Sequence, residues 1–208
     1  MTTGSAVCLG VAGLAALGNW WSRLRDDHRL ESVTKPAVTL ALIGAALTLD
    51  AHPAGARPWF IAALALCVVG DIALLNAVDQ FVVGLGAFLV GHVLFAVGAL
   101  VMGVHAAWLP VPLAAVAVGT VVAPVLRPIV RGAGPLAGPV VAYFGVISVA
   151  SCLLVATGRA WAIAGAVAFM VSDSILGTDK FVRRLPWSPV AVMVTYHVAL
   201  TALVLSLR

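Results

Sequence analysis

The sequence has few charged residues for its length. Only 10% of its 208 residues are Asp, Glu, Lys or Arg, whereas 62% are hydrophobic. A soluble domain carries about 25% charged residues, because its surface must face water on every side. The composition therefore excludes a soluble globular protein. Nor does the net charge of +4 indicate a nucleic-acid partner, because the basic residues lie in short segments between apolar runs.

Cysteine and the common catalytic motifs are also scarce. The three cysteines, Cys8, Cys67 and Cys152, lie within apolar runs at spacings that match neither a metal site nor a disulfide framework. The chain has no G-x-S-x-G, H-E-x-x-H or P-loop pattern. We therefore predict no metal and no cofactor, and we interpret the cysteines as core residues.

Long apolar runs dominate what remains. Each is long enough to cross a bilayer as a helix, so the sequence predicts an all-α, polytopic transmembrane helical bundle of about eight spans. Pro36 is taken to open the second span, because proline is tolerated in a first helical turn. No segment resembles a linker, so residues 1–208 are expected to form a single integral membrane domain in the lipid bilayer of the cell membrane. The predicted spans are 5–21, 36–51, 59–76, 81–104, 107–126, 136–157, 160–177 and 188–207.

The distribution of basic residues predicts the orientation of this bundle. Nine lie in alternate connections: Arg23, Arg25, Arg29, Lys35, Arg127, Arg131, Lys180, Arg183 and Arg184. The other side holds three: Arg57, Arg159 and Arg208. By the positive-inside rule, both termini are expected outside and the basic connections in the cytoplasm.

Two carboxylates lie inside apolar spans. Asp71 is in "LCVVGDIALL" and Asp173 is in "AFMVSDSILG". A carboxylate within the membrane costs about 3 kcal/mol on insertion scales, so a functional role is the default interpretation. Asp71 and Asp173 precede the predicted cytoplasmic ends of their spans by five and four residues, or roughly 6–8 Å at 1.5 Å per residue. Two carboxylates at the same depth on parallel helices are predicted to face one cavity.

Other polar side chains are predicted near this layer and have structural alternatives. Membrane histidines often serve as structural donors, Lys35 suits a topology anchor, and Tyr143 suits interfacial packing. The candidate supporting residues are Lys35, Asn76, His92, Tyr143, Ser172, Tyr196 and His197.

A buried carboxyl pair is suited to moving protons. Two such groups tend to share one proton, so one donates while the other accepts. The residues alone therefore indicate acid–base catalysis or proton coupling at the cytoplasmic leaflet, and they name no substrate.

Six segments in order resemble the YhhN-like family of eight-span membrane proteins, which includes the lysoplasmalogenases. The segments are "TKPAVTLAL" (34–42), "VVGDIALL" (68–75), "FVVGLGAFLVGHVLFA" (81–96), "AYFGVISV" (142–149), "AFMVSDSILG" (168–177) and "VTYHVALTALV" (194–204).

The resemblance implies hydrolysis of the vinyl ether bond of lysoplasmalogens to a fatty aldehyde and a glycerophospho-base. It places the family's candidate catalytic pair on Asp71 and Asp173, its Lys-Pro on Lys35 and Pro36, and its Gly-His on His92. The implied partner is a lysophospholipid from the cytoplasmic leaflet, whose phosphate would pair with Lys35.

Two other functions are compatible with the residues. One is a proton-coupled transporter of a small or amphiphilic solute, although such a path usually has polar groups in both halves of the membrane. The other is a lipid-binding membrane protein whose aspartates only join helices.

Overall fold

A computed structural model describes residues 1–75, 77–104 and 124–208. All regular structure in these residues is helical. The helices are α1 (Thr3–Arg25), α2 (His28–Thr48), α3 (Arg57–Ala73), α4 (Phe81–Met102), α5 (residues 124–132), α6 (Ala137–Ala156), α7 (Ala160–Phe181) and α8 (Ser188–Leu205).

Seven of the described helices, α1 to α4 and α6 to α8, are long and apolar enough to cross a membrane. This confirms the predicted polytopic helical bundle. Most of the predicted fifth span, 107–126, lies outside the described residues, and only its end, 124–126, falls within α5.

The start of α2 differs from the prediction. The helix begins at His28 instead of residue 36, and Pro36 lies inside it. An N-cap decides the start, because Oδ1 of Asp27 accepts hydrogen bonds from the backbone N–H groups of Arg29 and Leu30, both at 3.1 Å. The earlier start brings Glu31 into the helix.

The two carboxylates were expected at the same distance from the ends of their helices, and the structure differs from this expectation. Helix α3 ends at Ala73, two residues after Asp71, whereas α7 continues to Phe181, eight residues after Asp173. The carboxylates are therefore unequally far from their helix ends. They nevertheless face the same cavity, as described below.

The described spans form a ring in chain order. Helix α1 packs on α2, α2 packs on α3, and α3 packs on α4. Helix α4 packs on α6, and α6, α7 and α8 continue the ring. The first and last helices close it, where the Trp20 indole N–H donates a 3.0 Å hydrogen bond to Nδ1 of His197. Helix α5 lies against α7, where buried Ile129 faces Gly177.

A row of glycines lets α3 and α4 pack closely. Gly84, Gly91 and Gly98 recur every seven residues of α4, on the side that faces α3. A Cβ at position 98 would lie 2.5 Å from Cε2 of the fully buried Phe60. Small residues at such positions allow membrane helices to gain van der Waals contact.

We predict that Gly98→Ala destabilises the bundle, whereas Gly86→Ala on the same helix does not. The added methyl group at position 98 must displace Phe60, and overpacking of this kind costs about 1–3 kcal/mol. A Cβ at Gly86 meets nothing within 4 Å, and alanine is the better helix former by up to about 1 kcal/mol. The free energy of unfolding in mixed detergent micelles measures both effects. Equal values for the two variants would contradict the close packing.

Candidate active site

A cavity of about 300 Å³ lies at the end of the bundle where α1, α3 and α7 end. Asp71 of α3 and Asp173 of α7 both line it. Polar and charged side chains surround them toward the mouth, and aromatic side chains form the inner wall. The lining includes Arg23, Glu31, Lys35, Asp79, Phe88, Phe169, Ser172, Asp179, Lys180, Arg184, Ser188 and Tyr196.

Asp71 is fully buried and held by α2. The Thr39 hydroxyl donates a 2.8 Å hydrogen bond to its Oδ2. The Tyr196 hydroxyl lies close to both of these side chains but meets hydrogen-bond geometry with neither. Oδ1 of Asp71 and Oη of Tyr196 are therefore without a hydrogen-bond partner among the described residues. Both atoms are buried, and both belong to side chains that line the cavity.

Asp173 is held by α6. The Tyr143 hydroxyl donates a 2.5 Å hydrogen bond to Oδ2 of Asp173. The edge-to-face packing of His92 on Tyr143, with ring centroids 5.8 Å apart, supports the tyrosine ring. His92 in turn donates from Nδ1 to the Phe88 carbonyl at 2.8 Å and packs against Phe169 at 4.4 Å between centroids.

The two carboxylates share the cavity without a direct bond between them. Each has its own hydroxyl donor, Thr39 for Asp71 and Tyr143 for Asp173. Cys67, one turn before Asp71 on α3, is buried and lies near both carboxylates. Both acids line the same cavity.

Lys35 places a cation at the same cavity. It is 3% exposed and lies near Asp71 and Glu31, yet it makes no ion pair with either among the described contacts. Glu31 is already paired with Arg23, at 2.6 Å between Oε2 and Nη1. Lys35 is therefore free to meet an anionic ligand.

The other predicted supporting residues lie in different parts of the structure. Ser172 lines the cavity, but its hydroxyl donates to the Val192 carbonyl at 3.1 Å and joins α7 to α8. His92 and His197 are buried outside the cavity lining and act in packing and ring closure. Asn76 lies outside the described residues.

Two contacts of this site were not predicted. Glu31 was missed because the second span was expected to begin at Pro36, and without Glu31 the pattern that includes Thr39 is incomplete. The signal is present in the sequence: Glu31, Lys35 and Thr39 recur every four residues, which places them on one face of a helix. All three are buried.

The arrangement can perform acid–base chemistry on an amphiphile. It offers two carboxyl groups with separate supports, a nearby cation and an aromatic wall. Within residues 1–75, 77–104 and 124–208, no group of three His, Cys, Asp or Glu side chains could hold a metal ion. The site and the fold together define a polytopic membrane protein with an intramembrane carboxylate pair.

The chain belongs to the YhhN family, whose model matches residues 30–207. Helix α1 lies before this match, and the match includes every residue of the carboxylate pair and its supports. No solved structure matches the chain significantly.

Two relatives are named lysoplasmalogenase, from Mycobacterium bovis and Mycobacterium tuberculosis. Each is 33% identical over 178 residues, an alignment that covers 77% of this chain and 64% of the relative. The chain thus aligns with less than two thirds of the length of these curated relatives.

We predict that Thr39→Val destabilises the protein by about 1–3 kcal/mol, because Asp71 loses its hydrogen bond and is left buried without a partner. Thr39→Ser retains the hydroxyl and should stay near the wild-type value. Thr48→Val is the matched control, since Thr48 is exposed on the same helix and its hydroxyl bonds only to backbone carbonyls. The free energy of unfolding separates the variants. A loss at position 39 no larger than at position 48 would contradict a supporting role for Thr39.

Proposed function

We propose that this protein is a membrane hydrolase that cleaves the vinyl ether bond of lysoplasmalogens, with Asp71 and Asp173 as its acid–base pair. The observation that carries the proposal is that both carboxylates and Lys35 line one cavity within the membrane-spanning helices. The names of the two mycobacterial relatives support the choice of substrate.

The chemistry requires two carboxyl groups in different states. Protonation of the β-carbon of the vinyl ether produces an oxocarbenium ion at the carbon attached to oxygen. A neutral carboxylic acid supplies that proton, and a carboxylate stabilises the cation and orients water toward it. Addition of water forms a hemiacetal, which breaks down to a fatty aldehyde and a glycerophospho-base. In this proposal Asp71 and Asp173, which both line the cavity, provide the two carboxyl groups.

The surrounding residues support binding and positioning. Lys35 pairs with the lipid phosphate, and Tyr143 orients Asp173 through its 2.5 Å hydrogen bond. Tyr196, with its unpartnered hydroxyl beside Asp71, orients water or the ether oxygen.

The proposed side of substrate entry rests on the basic residues that line the cavity. Arg23, Lys180 and Arg184 belong to the end of the bundle that carries most of the basic residues. By the positive-inside rule, this end faces the cytoplasm of a cell membrane, and the lysophospholipid enters from the cytoplasmic leaflet.

We predict that Asp71→Asn and Asp173→Asn each reduce aldehyde release from a lysoplasmalogen by roughly 10²–10⁴-fold, the usual contribution of a general acid or base. Asp50→Asn is the matched control, because Asp50 is exposed between α2 and α3 and lines no part of the cavity. Purified protein in lipid nanodiscs is incubated with the lysoplasmalogen, and aldehyde is quantified by mass spectrometry.

The same assay includes an ester lysophospholipid of equal chain length. Release of fatty acid from the ester would contradict a mechanism that depends on protonating an alkene. Full activity in either cavity variant would exclude that carboxylate from the reaction. If wild-type protein leaves both lipids intact, the hydrolase proposal fails, and proton-coupled transport becomes the explanation to test.

We predict that Lys35→Met raises KM for the lysoplasmalogen roughly 10-fold to 100-fold, since a charge-assisted contact to phosphate contributes about 1.5–3 kcal/mol. Arg29→Met is the control, because Arg29 is exposed and lies outside the cavity lining. A large loss of kcat with an unchanged KM would show instead that Lys35 acts through neighbouring Asp71 on the chemical step.

A further inference from the structure

A smaller chamber of about 40 Å³ adjoins the cavity on the side of α4 and α6. It shares five lining residues with the larger cavity: Leu74, Phe81, Phe88, Asp173 and Leu176. Its remaining lining is almost entirely apolar and includes Leu85, Val140, Phe144 and Gly177. Asp71 does not line this chamber. One carboxylate therefore borders both compartments and the other borders only the polar one.

The vinyl ether group likewise has an apolar side and a polar side. The carbon that must be protonated lies on the hydrocarbon side of the double bond, whereas water attacks the carbon that carries the ether oxygen. An acid that protonates the alkene must therefore reach toward the chain, and the carboxylate that orients water must lie toward the head group.

Building on the proposed hydrolase, we propose that the side chamber receives the first carbons of the hydrocarbon chain, so that Asp173 is the proton donor and Asp71 the carboxylate that orients water. The polar head group then lies in the larger cavity, with its phosphate near Lys35. A volume of about 40 Å³ accommodates only roughly three or four carbon-sized groups, so the rest of the chain extends beyond the chamber.

The proton balance closes with these two residues. The alkene π electrons form the new C–H bond with the carboxyl proton of Asp173. This step leaves an oxocarbenium ion on the neighbouring carbon and Asp173 as a carboxylate. Water adds to that carbon and gives one proton to Asp71. In the breakdown of the hemiacetal, its hydroxyl proton returns to Asp173 while Asp71 protonates the departing glycerol oxygen. Both residues end in their starting states.

The position of the chain is tested by binding, which does not depend on turnover. The probe is a saturated 1-O-alkyl lysophospholipid, which has no double bond to cleave. Val140→Phe and Leu85→Phe, from opposite walls of the chamber, should each weaken its binding at least 10-fold. The matched controls are Val141→Phe and Val83→Phe, at positions 47% and 52% exposed on the same helices. Equal affinity in chamber and control variants would overturn the proposal.

The roles of the acids are tested by rescue with azide. In Asp71→Ala, Asp173 still protonates the alkene and the oxocarbenium ion still forms. Azide occupies the space left by the missing carboxylate and attacks this ion. The expected product is the lipid plus one hydrogen and one azido group, detected by mass spectrometry. Asp173→Ala should give none of it, and retained binding of the saturated probe shows that either variant is folded.

The outcomes distinguish this inference from the hydrolase proposal. Azide product from Asp173→Ala alone, or from neither variant when the wild type releases aldehyde, would overturn the assignment of roles. If wild-type protein releases no aldehyde, the hydrolase proposal fails and the roles fail with it. The binding series would still report separately whether a hydrocarbon chain occupies the chamber.

Discussion

The bundle depends on one constraint: a carboxylate within membrane-spanning helices must find its hydrogen bonds inside the protein, because lipid offers none. Thr39 and Tyr143 meet this need for Asp71 and Asp173. Each bond also joins two neighbouring helices, α2 to α3 and α6 to α7. The groups that carry the proposed chemistry are thus also the groups that fix the walls around it.

Aromatic packing gives the inner end of the cavity a fixed shape. Phe88 and Phe169 contact Tyr196 edge to face, with centroids 5.7 and 5.6 Å apart. Such pairs contribute about 0.5–1.5 kcal/mol beyond the area that they bury. His92 packs on the other side of Phe169, at 4.4 Å. The Tyr196 ring, which lines the cavity, is therefore held by two phenylalanine rings.

The sequence was sufficient for the class of fold and for the main acids, and insufficient for their surroundings. Apolar length alone identifies membrane helices, so the predicted helical bundle agrees with the seven described helices that are long and apolar enough to cross a membrane. Asp71 and Asp173 were found because a carboxylate in an apolar run is costly. Their hydroxyl partners were harder to identify. Tyr143 was selected only by depth. Thr39 was not selected, because a threonine inside a helix costs little and only its spacing from Glu31 and Lys35 marks it.

Two errors at helix ends show the same limit. Pro36 suggested a start that the cap at Asp27 overrides. The seventh span was predicted to end at residue 177, but the helix continues through Thr178 and Asp179 to Phe181. There the Phe81 and Phe181 rings pack edge to face at 5.6 Å, and Lys180 lies over Phe81. Contacts with α4 accompany this additional turn, and a local sequence pattern does not reveal such contacts.

The pairing of each carboxylate with a neighbouring helix has a consequence for biosynthesis. Thr39 and Asp71 belong to consecutive spans, and so do Tyr143 and Asp173. Each acid can therefore enter the bilayer as part of a helical hairpin that already contains its donor, without waiting for the rest of the chain. The contact between Trp20 and His197 joins the first helix to the last. Ring closure, and with it the shared cavity, must wait until α8 has emerged from the ribosome.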